Sequence, residues 1–331
     1  LYVIPRHAEA NRRHSNSCAA LRTLGAEELV MTNSNAQMQS AQVINDGEVR
    51  RYVDDGFLTV PGLITTAELN ELKADLIALA RGHYPCKALV PVAPEVSDDD
   101  ALHSILCIHH PGLVSPVAAR FAAHPAIAKV LSRLVGAHIA HWNGAVKCVE
   151  QMFFAKGPGK PGQAWHQDER YIPTRDRTLT GVWIAIDDAT VQNGCLWVVP
   201  GSQRNGYMYP IAKPKDIIEF DASDECYGFD DRGAVPVEVK AGTVVFFNGY
   251  LLHRSLRNRS DGWRRALVSH YMNSWSLLPW YEVDVPGQGL QSVGIADHRA
   301  VFPVAGTDPY AWKGYTPRQP ENIWIRNPVK S

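Results

Sequence analysis

The second half of the chain is a succession of short runs rich in β-branched and aromatic residues, with Gly, Pro and Asp between them. Runs of this length and composition predict β-strands, and the residues between them predict turns. The predicted strands cover residues 146–155, 181–187, 195–199, 235–239, 243–247 and 264–273. Many short strands separated by turns favour a β-sandwich or a jelly roll.

Two helical regions are predicted before these strands. Thr65 and Glu68 form a capping box that predicts a helix start, and Gly82 predicts its end. Apolar residues between them recur on one helix face: Leu69, Leu72, Leu76 and Leu79. A second helical region is predicted over residues 116–135, with an interruption at Pro125. We therefore expect a mainly β core with flanking N-terminal α-helices.

The first 45 residues differ from the rest of the chain. They are rich in Asn, Ser, Ala, Gln and Arg and lack a sustained apolar period, which predicts a mobile N-terminal tail. No linker interrupts the remaining sequence. Residues 46–331 are therefore predicted to form a single domain.

Charge and cysteine usage narrow the class of protein. Lys+Arg 33 against Asp+Glu 34 leaves a formal net charge of -1, so no electrostatic footprint for nucleic acid or an anionic membrane is present. The six cysteines are scattered without a C-x-x-C pair, which fits a reducing compartment. No apolar run reaches the roughly 18 residues that a membrane span needs. These features predict a cytoplasmic protein whose partner is a small molecule.

His166 and Asp168 are the first candidate functional residues. They are two positions apart in Trp165-His166-Gln167-Asp168, and on a strand such residues point to the same face. They could therefore offer two ligands to one metal ion. A histidine from a distant strand would complete a facial set of two imidazoles and one carboxylate, which is typical of non-haem Fe(II) oxygenases. A lone His-x-Asp pair is weak support, so the case depends on the rest of the sequence.

His253 is the candidate third ligand. It follows a predicted strand and turn over residues 242–252, and a strong turn signal at 258–262 comes after it. Arg264 opens the next strand, which the turn folds back beside His253. A guanidinium there could hold the far carboxylate of 2-oxoglutarate with two parallel hydrogen bonds, and Ser255 could add a hydroxyl.

These residues, taken with three longer stretches, resemble the phytanoyl-CoA dioxygenase family, which includes ectoine hydroxylases. The stretches are RYVDDGFLTVPG at 51–62, GVWIAIDDAT at 181–190 and NGCLWVVPGS at 193–202. Together with His166, Asp168, His253 and Arg264 they extend the resemblance over roughly residues 46 to 315. One departure is Gln203, which stands where family members commonly have His.

The resemblance implies a fold, a set of cofactors and a reaction. The fold would be a double-stranded β-helix, a cupin-like jelly roll. The enzyme would use Fe(II), 2-oxoglutarate and O2 to hydroxylate an unactivated C–H bond of a small organic substrate, with release of succinate and CO2. The implied iron ligands are His166, Asp168 and His253; the implied 2-oxoglutarate contacts are Arg264, Ser255, Trp183 and Lys147.

Other functions remain open at the level of the sequence. The same iron centre could catalyse desaturation, epoxidation or ring formation in natural-product biosynthesis, and a catalytically inactive metal-binding jelly roll is a further alternative. A zinc or manganese cupin is disfavoured because such sites typically use a His-x-His pair. The substrate pocket is expected in the loops at 85–110, 157–163, 203–232 and 275–300, and no sequence feature selects among a CoA thioester, an amino acid, a lipid and a natural-product intermediate.

Overall fold

The computed structural model of the chain describes residues 43–276, 282–285, 289–292, 302–313 and 323–327. The strands pair in antiparallel sheets and contain more of these residues than the α-helices, which come early in the chain. The predicted mainly β core with N-terminal helices is confirmed. The predicted N-terminal tail lies outside the described residues except for its last three positions, where Ile44 is buried and Asn45 caps the first helix.

Five α-helices lie before residue 146, together with two short strands of the larger sheet. The helices are α1 (Asp46–Asp55), α2 (Thr66–Ala80), α3 (Asp98–His103), α4 (Pro116–Ala122) and α5 (Pro125–Leu134). The capping box of Thr65 and Glu68 is present at the start of α2. The break predicted at Pro125 is also found, because this residue begins α5 instead of continuing α4. Gly56 ends α1 in the left-handed conformation, which glycine adopts without steric cost.

The larger sheet has eight described strands. They are β1 (Phe57–Val60), β2 (Cys107–His109), β3 (Val146–Lys156), β5 (Thr180–Ala185), β10 (Val244–Asn248), β12 (Arg264–Asn273), β15 (Phe302–Ala305) and β16 (Trp324–Arg326). The order across the sheet is β1-β10-β5-β12-β3-β2-β16, and β15 also pairs with β3. Strands distant in the chain are therefore neighbours, as in a jelly roll.

A smaller sheet faces the larger one across the functional cavity. Its strands are β4 (Gln163–His166), β6 (Leu196–Val198), β9 (Val235–Val237) and β11 (His253–Ser255), in the order β4-β11-β6-β9. Two two-stranded antiparallel sheets complete the described strands: β7 (Ile211–Ala212) with β8 (Glu225–Cys226), and β13 (Glu282–Val285) with β14 (Gly289–Ser292).

Alternating residues of the larger sheet supply two separate hydrophobic cores. On β5, Val182 and Ile184 pack in the core that includes the leucines of α2. Their neighbours Trp183 and Ala185 pack in a second core with Leu196 and Val198 of the smaller sheet. This period-two division follows from strand geometry. It leaves the helices on one side of the larger sheet and the cavity on the other.

Candidate metal centre and its cavity

The structure brings His166, Asp168 and His253 together. His166 ends β4 and His253 begins β11, and the two residues are direct cross-strand partners. One potential ligand atom from each of the three residues lies within 4.8 Å of the other two. Asp168 Oδ1 is 3.7 Å from Nε2 of His166 and 3.7 Å from Nε2 of His253. All three side chains are buried.

Asp168 does not lie on a strand, contrary to the sequence prediction. β4 ends at His166, and Asp168 begins a single 3-10 turn that extends to Arg170. The carboxylate therefore reaches the imidazoles through a turn and not through the alternation of a continuous strand. The spacing of the two residues is compatible with both geometries, so it could not distinguish them.

Backbone hydrogen bonds select the tautomer of both histidines. His166 Nδ1 is 2.8 Å from the carbonyl oxygen of Ala164, and His253 Nδ1 is 2.9 Å from that of Leu251. A carbonyl oxygen can only accept, so each Nδ1 must carry the hydrogen. Each Nε2 then keeps its lone pair on the side of Asp168, which is the form that a metal ion requires.

The electrostatics of the cluster suit a divalent cation. Burial, reinforced by His253, lowers the pKa of His166 to about 3, so its ring is neutral at physiological pH. Burial would raise the pKa of Asp168, but His253 and His270 lower it further than burial raises it, which keeps the carboxylate ionised. Two imidazoles and one carboxylate are the donor set of the facial triad found in non-haem Fe(II) oxygenases.

His270, on β12, is a partner of this cluster that sequence reasoning missed. Its Nε2 is 2.9 Å from Asp168 Oδ2, and the ring is 2% exposed. Since a carboxylate only accepts, His270 Nε2 donates this hydrogen bond. The contact joins residues 102 positions apart in the sequence, and no local motif indicates it.

Arg264 lies at one end of the cavity that contains the cluster. It is the first residue of β12 and is 3% exposed. Its guanidinium carbon lies 5.6 Å from the centroid of the Trp183 ring. Ser255, the last residue of β11, lines the same cavity. The structure thus places Arg264, Ser255 and Trp183 around one space with the histidines.

Lys147 lies elsewhere, and a different lysine of β3 occupies this part of the cavity. The Nζ of Lys147 is 5.9 Å from the centroid of the Tyr310 ring, at the end of β3 that pairs with Met272. Lys156 ends the same strand, nine residues or about 30 Å farther along, where it pairs with Arg264. Among the described residues that line the cavity, the lysine from β3 is Lys156.

The cavity has a volume of about 510 Å³ and lies between the two sheets. Its lining includes Trp183, Arg264 and Val268 from the larger sheet and Leu196 from the smaller one. Three of the four predicted pocket loops contribute residues, and the fourth, 275–300, lies mostly outside the described residues.

Several polar and aromatic side chains also line the cavity. Glu150 Oε1 is 3.3 Å from His109 Nδ1, and the His109 ring stacks on Trp324 at 3.5 Å between centroids. Two ion pairs lie in the same region: Lys213 with Asp224 at 2.7 Å, and Arg326 with Asp221 at 3.4 Å. Trp324 and Arg326 come from β16 near the end of the chain. Sequence reasoning did not find them, because only the pairing of β16 with β2 brings them here.

The sequence matches the profile of the phytanoyl-CoA dioxygenase family over residues 52–266. A phytanoyl-CoA dioxygenase of Oryza sativa subsp. japonica is 36% identical over 147 residues, which is 43% of this chain and 52% of the relative. A probable phytanoyl-CoA dioxygenase of Caenorhabditis elegans is 31% identical over 249 residues, 71% of this chain and 77% of the relative. The match to the rice protein and to several similar relatives spans about half of their length.

Solved structures share the fold. The non-heme monooxygenase ThoJ superposes with a TM-score of 0.58 at 21% identity, covering 85% of this chain and 88% of that one. EctD from S. alaskensis with 2-oxoglutarate and 5-hydroxyectoine gives a TM-score of 0.55 at 21% identity, covering 73% and 80%. At this level of identity the likeness establishes the fold alone. With the profile match over residues 52–266, more than half of the sequence, the chain belongs to the phytanoyl-CoA dioxygenase family of Fe(II)- and 2-oxoglutarate-dependent oxygenases.

Proposed function

We propose that the protein is an Fe(II)- and 2-oxoglutarate-dependent dioxygenase that hydroxylates an unactivated C–H bond of a small organic substrate. The observation that carries the proposal is the meeting of His166, Asp168 and His253 at a cavity that also holds a buried guanidinium. With Fe(II) bound, the centre would supply the oxidising power to convert O2, 2-oxoglutarate and R–H into R–OH, succinate and CO2.

His166, Asp168 and His253 are the proposed iron ligands. Both imidazoles are already in the tautomer that leaves Nε2 able to bind a metal, and the carboxylate is ionised. Little rearrangement of these side chains would therefore accompany metal binding. Three protein ligands on one face would leave the remaining positions for the keto acid and O2.

Arg264, Ser255 and Trp183 are the proposed 2-oxoglutarate contacts. The Arg264 side chain is buried, and its Nε has no hydrogen-bond partner among the described residues. A buried guanidinium without a partner is costly, and a carboxylate that accepts two parallel hydrogen bonds from it offsets that cost. Ser255 is two residues after His253 on the same strand, so one strand would position both the metal and the keto acid.

The proposed substrate space is the part of the cavity that is lined by His109, Trp324 and Arg326. The cavity volume of about 510 Å³ falls within the range of small-molecule sites. Its mixed aromatic and ionic lining near His109 and Trp324 supports a small organic substrate without selecting its chemical class.

We also propose that residues 46–331 form a single dioxygenase domain that acts in the cytoplasm. The larger sheet draws strands from residue 57 to residue 326, which supports one domain. Among the described cysteines, Cys107, Cys148, Cys195 and Cys226 are buried thiols outside any disulfide, as expected in a reducing compartment. None of the described helices is long and apolar enough to cross a membrane.

A test is anaerobic loading with Fe(II) followed by addition of 2-oxoglutarate and O2, with succinate measured by mass spectrometry. We expect succinate from the wild type and none above background from Asp168→Ala. For Arg264→Ala we expect chiefly a raised requirement for 2-oxoglutarate, since the chemistry at the metal keeps its ligands. His138→Ala is the control, because His138 is a histidine outside the cluster. Full succinate production by Asp168→Ala would refute the ligand assignment.

A different oxidative outcome at the same centre is the second candidate function. Among the solved structures with this fold, SnoK is described as a carbocyclase and SnoN as an epimerase. The mass of the organic product separates outcomes that add oxygen from those that do not: hydroxylation adds one oxygen atom, epimerisation leaves the mass unchanged, and desaturation and ring formation remove two hydrogen atoms. A product without added oxygen would refute hydroxylation but would not refute the assignment of the iron centre.

A further inference from the structure

Lys156 places a second buried cation beside Arg264. Lys156 ends β3 and is the direct cross-strand partner of Arg264. Both residues are 3% exposed, and both line the cavity that contains the proposed metal ligands. The described part of the chain offers neither cation an ion pair with a carboxylate within 4.0 Å.

Two adjacent buried cations are unfavourable in the absence of an anion. Each loses hydration, and they repel each other. Burial, and next the charge of Arg264, lower the pKa of Lys156 well below its ordinary value. An anion that enters the space between or beside them stabilises the charged form of both side chains. The structure therefore has a strong electrostatic preference for an anionic ligand at this end of the cavity.

The hydrogen bonds of Lys156 leave it able to bind such a ligand. Its Nζ donates to Ser255 Oγ at 2.8 Å and to the carbonyl oxygen of Leu256 at 2.7 Å. An ammonium group has three N–H donors, so one donor remains after these two bonds. The first bond also orients the Ser255 hydroxyl: because Lys156 is the donor, the Ser255 hydrogen is available for a ligand oxygen.

We propose that Lys156 is a second anchor for the far carboxylate of 2-oxoglutarate, acting with Arg264 and through Ser255. This inference rests on the proposed function. Two cations at this end would favour a keto acid with a second carboxylate over a keto acid with a single charge, such as pyruvate. Lys156 is a binding and positioning residue, remote from the reacting atoms.

The test is calorimetric binding of 2-oxoglutarate, without O2, to protein loaded with Co(II) as a redox-stable substitute for Fe(II). We expect Lys156→Met to weaken 2-oxoglutarate binding by about tenfold to a hundredfold, the effect of losing one charge-assisted hydrogen bond. The affinity for Co(II) should stay within about twofold, since the three ligands are untouched. Lys156→Arg keeps the charge and should bind more tightly than Lys156→Met. Lys147→Met is the matched control, a buried lysine of the same strand outside the cavity lining, and should bind 2-oxoglutarate like the wild type.

Thermal unfolding of the ligand-free variants separates this role from a purely structural one. If Lys156 only held the Ser255–Leu256 backbone, Lys156→Met would lower the unfolding temperature and leave 2-oxoglutarate binding unchanged, which would overturn the inference. We expect the reverse: an equal or higher unfolding temperature, because Lys156→Met removes a polar group whose burial beside Arg264 is unfavourable, together with weaker binding. Failure of the wild type itself to bind 2-oxoglutarate would instead refute the proposed function.

Discussion

Backbone hydrogen bonds orient the imidazoles of His166 and His253 independently of a metal ion. Each donates Nδ1–H to a carbonyl oxygen two residues earlier in the chain, so one backbone arrangement repeats on adjacent strands. The third proposed ligand is oriented differently, because Asp168 accepts a hydrogen bond from a side chain, His270. The three proposed ligands thus depend on three separate supports, and the support of Asp168 is the one that a single substitution can remove.

Replacing His270 with Leu should weaken metal binding without removing any ligand. The Nε2–H of His270 holds Asp168 Oδ2, which leaves Oδ1 facing the two histidines. Without that bond the carboxylate can rotate and offer both oxygens to the metal. We expect Co(II) affinity to fall by about tenfold to a hundredfold, the usual effect of losing such a supporting contact.

The coordination number of bound Co(II) provides the second readout. A carboxylate bound through both oxygens raises the coordination number, which lowers the intensity of the visible Co(II) absorption. His270→Asn retains a donor and should restore part of the affinity. Unchanged affinity and an unchanged spectrum in His270→Leu would show that His270 does not orient Asp168.

At the level of strands and helices, local pattern accounts for much of the fold. The runs predicted at 146–155 and 264–273 correspond to β3 and β12, because their β-branched and aromatic composition is continuous. The turn at Asp168 could not be predicted, since a strand and a 3-10 turn both permit His-x-Asp spacing. The roles of Lys156 and His270 depend on pairing and contact across about 100 residues, which no local pattern records. The pairing of β16 with β2 also joins distant parts of the chain, so no local pattern predicts it.

Gly162 controls how closely β4 approaches β11. A methyl group at this position would lie 1.9 Å from the carbonyl oxygen of Ser255. β4 and β11 carry His166 and His253, so Gly162→Ala must displace one strand from the other. We expect a loss of unfolding free energy of about 1–3 kcal/mol, the usual cost of overpacking, measured by urea denaturation. Metal affinity should fall as well.

Gly233→Ala is the control for this substitution, because a methyl group there has no neighbour within 4 Å. It should leave both stability and Co(II) binding near wild-type values. Gly162→Ala with wild-type Co(II) affinity would mean that the two strands can separate without moving the histidines, and the proposed coupling of strand spacing to the metal site would be wrong.

For the molecule as a whole, the hydrophobic core that packs against the helices lies on one face of the larger sheet. The metal site lies on the opposite face. Leu72 of α2 is fully buried in that hydrophobic core. Leu72→Ala should cost about 2–5 kcal/mol of unfolding free energy through lost burial and a cavity. Its Co(II) affinity, measured well below the unfolding temperature, should match the wild type. A large loss of affinity would show that the helical layer holds the site in shape.

Binding at the site should also stabilise the whole fold, because the proposed ligands come from β4, β11 and the turn after β4, and an unfolded chain cannot present them together. A ligand that binds only the folded state adds RT ln(1 + [L]/Kd), or about 2.7 kcal/mol at a concentration 100 times the Kd. We expect Co(II) to raise the urea midpoint of the wild type, 2-oxoglutarate to raise it further, and EDTA to reverse both effects. Asp168→Ala should show neither increase, whereas Arg264→Ala should keep the response to the metal and lose most of the response to 2-oxoglutarate. If 2-oxoglutarate stabilised Arg264→Ala as strongly as the wild type, the keto acid would not bind at the guanidinium.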